Sequence, residues 1–223
     1  MIINHRYKYI FVKTTKTAGT SMEIALSRSC GSNDIVTPFG APDDNVYRES
    51  LDGYQSPCNY EEYDLEEHSK ASIIKESIPQ EWWDKYTKIA ILRDPVDYTI
   101  SRYYWDNRSK LPRGIAPSID EWVRNDSKKI WHNWRIHTVD NKPAMDFYMI
   151  YDRLAEDALI LSDMLGLDYD LSKEVKSTNT KRQWRKKKDP IQNQDTYNLI
   201  RRKAGREQKL IERVREERTR NHG

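Results

Sequence analysis

Apolar residues along this chain fall into short runs that alternate with sets at helical spacing. Tyr9, Ile10, Phe11 and Val12 form a run bounded by charge, which predicts a strand over 7–13 close to the start of the chain. Met22, Ile24, Ala25 and Leu26 predict a helix over 20–29, with Thr20 or Ser21 as its N-cap. From 31 to 60 turn formers dominate (Gly31, Pro38, Gly40, Pro42, Gly53, Pro57), which predicts a long loop or irregular insertion. Helical spacing returns over 69–77, and Pro79 with Glu81, Trp82 and Trp83 opens a short turn or helix. Both tryptophans are assigned to packing.

The run Ile89, Ala90, Ile91, Leu92 predicts a second strand over 87–92, and Asp94-Pro95 starts a helix over 95–107. Ser118 and Glu121 have capping-box spacing before Trp122 and Val123. Residues 146–151 predict a third strand. Residues 153–165 predict a helix carrying Leu154, Ala158, Leu161 and Leu165, capped by Gly166. A charged segment from Gln194 to Arg218 keeps Leu199, Ile200, Leu210, Ile211 and Val214 as its apolar positions and predicts one long helix. Strands alternating with helices imply an α/β fold with a mainly parallel sheet flanked by helices. The division expected is one domain over 1–190 and a C-terminal charged helix over 191–223.

Composition narrows the function classes. The chain has 223 residues, enough for a buried core, and one third of them are charged. Mean hydropathy is −0.94. The net charge of +3 is too balanced to argue for nucleic acid by itself. Basic residues cluster at 181–188 and 201–203, a solvated run by default and an attractor of anions if it faces a site. Cys30 and Cys58 fit a reducing compartment, and no segment has the apolar length of a membrane span or leader, so a cytoplasmic protein is expected. The histidines at 5, 68, 132 and 137 lack ligand spacing, and no metal is expected. Nothing in the sequence specifies an oligomeric state.

Two motifs carry chemistry. The stretch from Lys13 to Ser21 lies between a predicted strand and a predicted helix, where backbone N–H groups favour an anion. It is not a Walker A loop, because Lys16 precedes its single glycine, Gly19, and Lys13 occupies no glycine position. Thr17, Ala18, Gly19, Thr20 and Ser21 nonetheless offer N–H groups and hydroxyls to a phosphate, and Lys16 offers a cation to charge developing on a leaving oxygen. The second motif follows the strand 87–92. Arg93 supplies a guanidinium suited to bidentate phosphate contact. Ser101 supplies a hydroxyl about 12 Å further along the predicted helix. Two phosphate sites on one chain suggest a doubly phosphorylated nucleotide.

These motifs resemble the sulfotransferase superfamily that uses 3′-phosphoadenosine 5′-phosphosulfate, in its carbohydrate branch with the heparan and chondroitin sulfate enzymes and soluble bacterial relatives. Thr15-Lys-Thr-Ala-Gly-Thr-Ser21 is similar to that family's 5′-phosphosulfate loop, with threonine in place of a usual proline. The segment from Arg93 to Trp105 is similar to its 3′-phosphate segment, with Tyr98 where an arginine is common. The strand and helix after Tyr148, and the Ser177–Arg182 segment, are also similar, so the likeness covers roughly 7–182. It implies a P-loop-type fold, a sulfuryl donor bound by residues 16–21, Arg93 and Ser101, and a nucleotide-covering loop that includes Lys181 and Arg182. The product of the donor is 3′-phosphoadenosine 5′-phosphate.

In-line sulfuryl transfer to a hydroxyl needs a base as well as Lys16. His68, in Glu67-His-Ser69, matches the family's histidine and is the candidate, with Glu66 and Glu67 as competing bases. For the acceptor, a carbohydrate is expected. Glu67, Arg108, Trp131, Trp134 and Arg135 combine carboxylate, cations and aromatic faces that suit a sugar, although aromatic residues more often pack in cores. Two alternatives stay open: a P-loop nucleotide or small-molecule kinase, and a basic nucleic-acid-binding module using 181–203. Neither nucleic acid nor a membrane is expected as partner.

Overall fold

The computed structural model describes residues 1–125, 133–178 and 190–220. They divide into two units, Met1–Ile91 with Arg135–Thr180 and Leu92–Trp134 with Lys181–Gly223. The first unit is built on a five-stranded sheet. Its strands are β1 (Ile2–Asn4), β2 (Tyr9–Phe11), β3 (Ile35–Val36), β4 (Thr87–Leu92) and, after a short hairpin of β5 (Thr138–Val139) and β6 (Lys142–Pro143), β7 (Phe147–Ile150). The spatial order is β3-β1-β2-β4-β7.

The expected mainly parallel sheet is instead mixed. β2 runs parallel to β4, but β1 pairs antiparallel with both β2 and β3. The cause is the short segment Met1–Asn4, whose apolar residues are all buried and which folds back on β2 with Ile2 opposite Phe11 and Ile3 opposite Ile10. The expected long loop over 31–60 is likewise corrected, since it contains β3 and the helix α2 (Pro42–Glu49). Pro42 at the start of that helix acts as an initiator, because its fixed φ suits the first helical turn.

Helices flank the sheet. α1 (Gly19–Ser27) follows β2, α3 (Ala71–Ser77) and α4 (Gln80–Lys85) precede β4, and α7 (Leu154–Leu165) and α8 (Leu171–Ser177) follow β7. Phe11, Ile89, Ile91, Phe147 and Met149 from the strands pack with Met22, Leu26, Ala158 and Leu161 from the helices. Each large apolar side chain so buried contributes about 1.5–3 kcal/mol. α7 ends where expected, with Gly166 left-handed at φ 64° and the Leu167 N–H donating to the Ser162 carbonyl.

The second unit is helical. α5 (Pro95–Asp106) is capped by Asp94, which accepts from the N–H groups of Val96 and Asp97. α6 (Ile119–Asn125) follows a reciprocal capping box in which Glu121 accepts from the Ser118 N–H and Ser118 Oγ accepts from the Glu121 N–H. The expected single tail helix is two, α9 (Gln194–Lys203) and α10 (Gly205–Arg220). The chain leaves helical geometry at Ala204, next to Gly205, a residue that weakens helix interiors. Tyr103, Ile119, Trp122, Val123 and Ile200 form the core of this unit. Asp120 ties the tail to α6 by accepting from the N–H groups of Gln192 and Asn193 and from Thr196 Oγ1.

Among the described residues, no helix is long and apolar enough to cross a membrane. No group of three His, Cys, Asp or Glu side chains among them is placed to hold a metal ion.

Candidate functional site

The first motif folds as strand, turn and helix. β2 ends at Phe11, the Val12 N–H still donates to Ile89 of β4, and α1 begins at Gly19. Between them Lys16 and Ala18 are left-handed, at φ 57° and 63°. Such residues carry backbone strain, and alternating handedness turns successive N–H groups toward one side. The expected cap by Thr20 or Ser21 is corrected. Ala18 holds the N-cap position, no side chain caps the helix, and its first turn has no acid. The positive end of α1 therefore lacks the side-chain acceptor that most helix starts carry.

The hydroxyls of the turn shape it. Thr14 Oγ1 donates to the Ile91 carbonyl at the end of β4 and lies 2.8 Å from Thr17 Oγ1, which donates to the Thr14 carbonyl. Thr17 is fully buried, so its hydroxyl serves the turn. Ser21 is buried, while Lys16, Ala18 and Thr20 are half-buried.

Beneath the turn lies a charged cluster that sequence reasoning missed. Lys13 is 2% exposed, and its ammonium sits 3.2 Å from Glu23 Oε2 and in close contact with Glu67 Oε1. Glu23, fully buried in α1, also faces Arg48 of α2 at 3.6 Å and the Met1 amino group at 3.1 Å. Phe39 packs against both cations, its ring centroid 4.1 Å from Lys13 Nζ and 4.3 Å from Arg48 Cζ. Glu67 Oε2 accepts from the Gly40 N–H at 2.8 Å. Burial pushes the Glu67 carboxyl up, but the Lys13 charge and the two hydrogen bonds outweigh it and bring it down to about 2. The signal that was available is Glu23 itself, a carboxylate set inside the apolar run of α1.

His68 joins this assembly. Its Nδ1 lies 2.9 Å from the Lys13 carbonyl. A carbonyl only accepts, so the ring proton sits on Nδ1 and the Nε2 lone pair is left as the acceptor. Nε2 is 3.9 Å from Glu67 Oε1, beyond hydrogen-bond reach. Burial lowers the imidazole from its usual value, against the Lys13 carbonyl and the Glu67 charge, so the neutral ring prevails at pH 7. Of the competing carboxylates, Glu66 is exposed, and Glu67 is fully engaged and strongly acidic.

The second motif lies in the second unit. Arg93, 7% exposed and one residue past β4 in sequence, donates from Nε to Asp97 at 2.8 Å. Ser101 is half-buried, two turns into α5, and Tyr98 is buried. Of the acceptor candidates, Arg108 is exposed with its guanidinium 4.4 Å from the Trp105 ring centroid. Trp134 is half-buried and Arg135 exposed in a short turn of helix. Lys181, Arg182, Trp131 and the basic run 181–188 lie outside the described residues. Elsewhere Trp83 is buried as expected, while Trp82 lines a cleft of about 330 Å³ with His5, Tyr63, Asn59 and Glu62.

Comparison with models of known protein families, with curated proteins and with solved structures finds no match for this chain.

Proposed function

We propose that this protein is a sulfotransferase that moves a sulfuryl group from 3′-phosphoadenosine 5′-phosphosulfate to an acceptor hydroxyl, with a carbohydrate as the acceptor class. The observation that carries the reading is the attachment of His68, through Nδ1, to the backbone of the Lys13–Ser21 turn. A neutral, half-buried imidazole is thereby tied to a strand-turn-helix whose uncapped helix start attracts an anion.

In this reading the turn and the first N–H groups of α1 hold the 5′-phosphosulfate, in a P-loop-type arrangement. Lys16 stabilises the charge that develops on the bridging oxygen as the sulfur–oxygen bond breaks. His68 Nε2 takes the proton of the acceptor hydroxyl as that oxygen attacks sulfur in line. Arg93 and Ser101 bind the 3′-phosphate, and the Asp97 carboxylate fixes the Arg93 fork. Lys13 is not a phosphate ligand here, because its ammonium is committed to two carboxylates.

The test is a transfer assay with sulfur-labelled donor and a panel of oligosaccharides. Label appearing on an acceptor, together with its loss in His68→Ala, supports the assignment. Label that stays on the donor with every acceptor, in a protein that does not bind the bisphosphate product, refutes it.

A further inference from the structure

Glu67 and His68 are adjacent in the chain, both face the Lys13–Ser21 turn, and either side chain type can serve as a general base. One residue touches both. The Lys13 carbonyl holds His68 Nδ1 at 2.9 Å, and the Lys13 ammonium closes on Glu67 Oε1 while Glu23 anchors it from the other side at 3.2 Å. Glu67 Oε2 is taken by the Gly40 N–H, so both oxygens of that carboxylate are occupied.

We propose that Lys13 is a positioning residue that assigns proton acceptance to His68 and denies it to Glu67, its carbonyl fixing the ring proton on Nδ1 and its ammonium occupying the carboxylate. The use of Nε2 as a base rests on the transferase reading; the fixed tautomer and the engaged carboxylate do not. Three features make Lys13 fit this role. It is almost wholly buried, so its ammonium has no solvent to turn to. Glu23 and Glu67 come from α1 and from the segment before α3, so the ion pairs clamp the His68 segment against the turn. Gly19 is the third, since a Cβ there would stand 2.8 Å from Lys13 Cγ, and the glycine leaves the lane through which the lysine passes. The titratable groups that act on His68 are Glu67, the Lys13 ammonium and the Met1 amino group, which burial brings down to about 6, and all belong to this cluster.

The experiment is nitrogen and carbon NMR of the intact protein without ligand, followed over pH. In the wild type the His68 ring is expected as the Nδ1–H tautomer, and the Glu67 carboxyl is expected to titrate near 2. In Lys13→Met the Glu67 titration should rise by at least one unit, a tenfold change in its proton affinity. The His68 tautomer should persist, because a backbone carbonyl holds it. An Nε2–H tautomer in the wild type, or Glu67 titrating near 4.5 there, overturns the proposal without any variant. If Lys13→Met does not fold, Glu67→Gln supplies the second arm. Its His68 titration should fall, because the carboxylate that favours the charged ring is gone, and an unmoved titration counts against the cluster. These spectra need no nucleotide. Failure to bind 3′-phosphoadenosine 5′-phosphate would therefore remove the transferase reading and leave the Lys13 assignment standing, and the reverse holds for a failure in the spectra.

Discussion

Gly19→Ala is a small change with a specific cost. The added methyl carbon would lie 2.8 Å from Lys13 Cγ, 3.2 Å from Lys13 Cε and 3.2 Å from the Thr14 carbonyl oxygen. A mid-chain clash is relieved only if the lysine swings aside, and here its ammonium is held by Glu23 and Glu67 in a buried site. Overpacking of this kind costs about 1–3 kcal/mol, reduced by up to about 1 kcal/mol because alanine favours a helix over glycine. A net loss of roughly 1–2 kcal/mol is expected in urea unfolding, with the slope unchanged. The decisive comparison is a double-mutant cycle with Lys13→Ala, which removes the clashing carbons. That substitution alone is costly, at about 3 kcal/mol, since it takes a cation from the buried Glu23 and the half-buried Glu67. In its background Gly19→Ala meets only the Thr14 carbonyl oxygen and should cost clearly less, giving a coupling of about 1 kcal/mol. Equal penalties in both backgrounds would refute the argument that the glycine exists for the lysine.

The remaining predictions concern ligand, pH and the tail. Lys16→Ala and Arg93→Ala should each weaken binding of 3′-phosphoadenosine 5′-phosphate by about 1.5–3 kcal/mol, or roughly 10- to 150-fold, read by calorimetry; unchanged affinity in both would remove the two phosphate assignments. His68→Ala should abolish turnover and spare that affinity, and full turnover would show that another group is the base. Because the folded state lowers the His68 imidazole, the unfolded chain binds that proton more readily. Stability should therefore rise with pH from the folded value up to about 6.5 and be flat above, and His68→Gln should remove that rise. Glu67, held down in the fold, contributes stability above about 4.5 that is lost as pH falls toward about 2. Asp120→Ala removes the acceptor of three hydrogen bonds to the start of α9 and should release protection of that helix in hydrogen exchange while the amides of β4 stay protected.

Much of the architecture is legible from local pattern, and the failures share a cause. β4 and α5 follow directly from an apolar run and from Asp94-Pro95, because both signals are contiguous in sequence. The turn after β2 and its helix are legible for the same reason. β1 escapes notice because three residues are too few to show a period, and it is a strand only by pairing with β2 and β3. β3 and α2 are hidden by the prolines and glycines around them, whose turn signal overrides a two-residue strand. In the candidate site, Lys16 and His68 stand out by motif and resemblance, whereas Lys13 is read only as the start of the anion-favouring stretch and is given no role. Its burial depends on partners 10 and 54 residues away, and no local pattern encodes such a meeting.

The most direct test of the central claim is the thermal stability of the protein with 3′-phosphoadenosine 5′-phosphate, set beside ATP with Mg²⁺ and AMP. A ligand held at about 100 times its dissociation constant stabilises the folded state by roughly 2.7 kcal/mol, and a chain of this size should then melt about 5–10 °C higher. The account predicts that shift with the bisphosphate and its absence with AMP. Stabilisation by ATP with Mg²⁺ and none by the bisphosphate would contradict it.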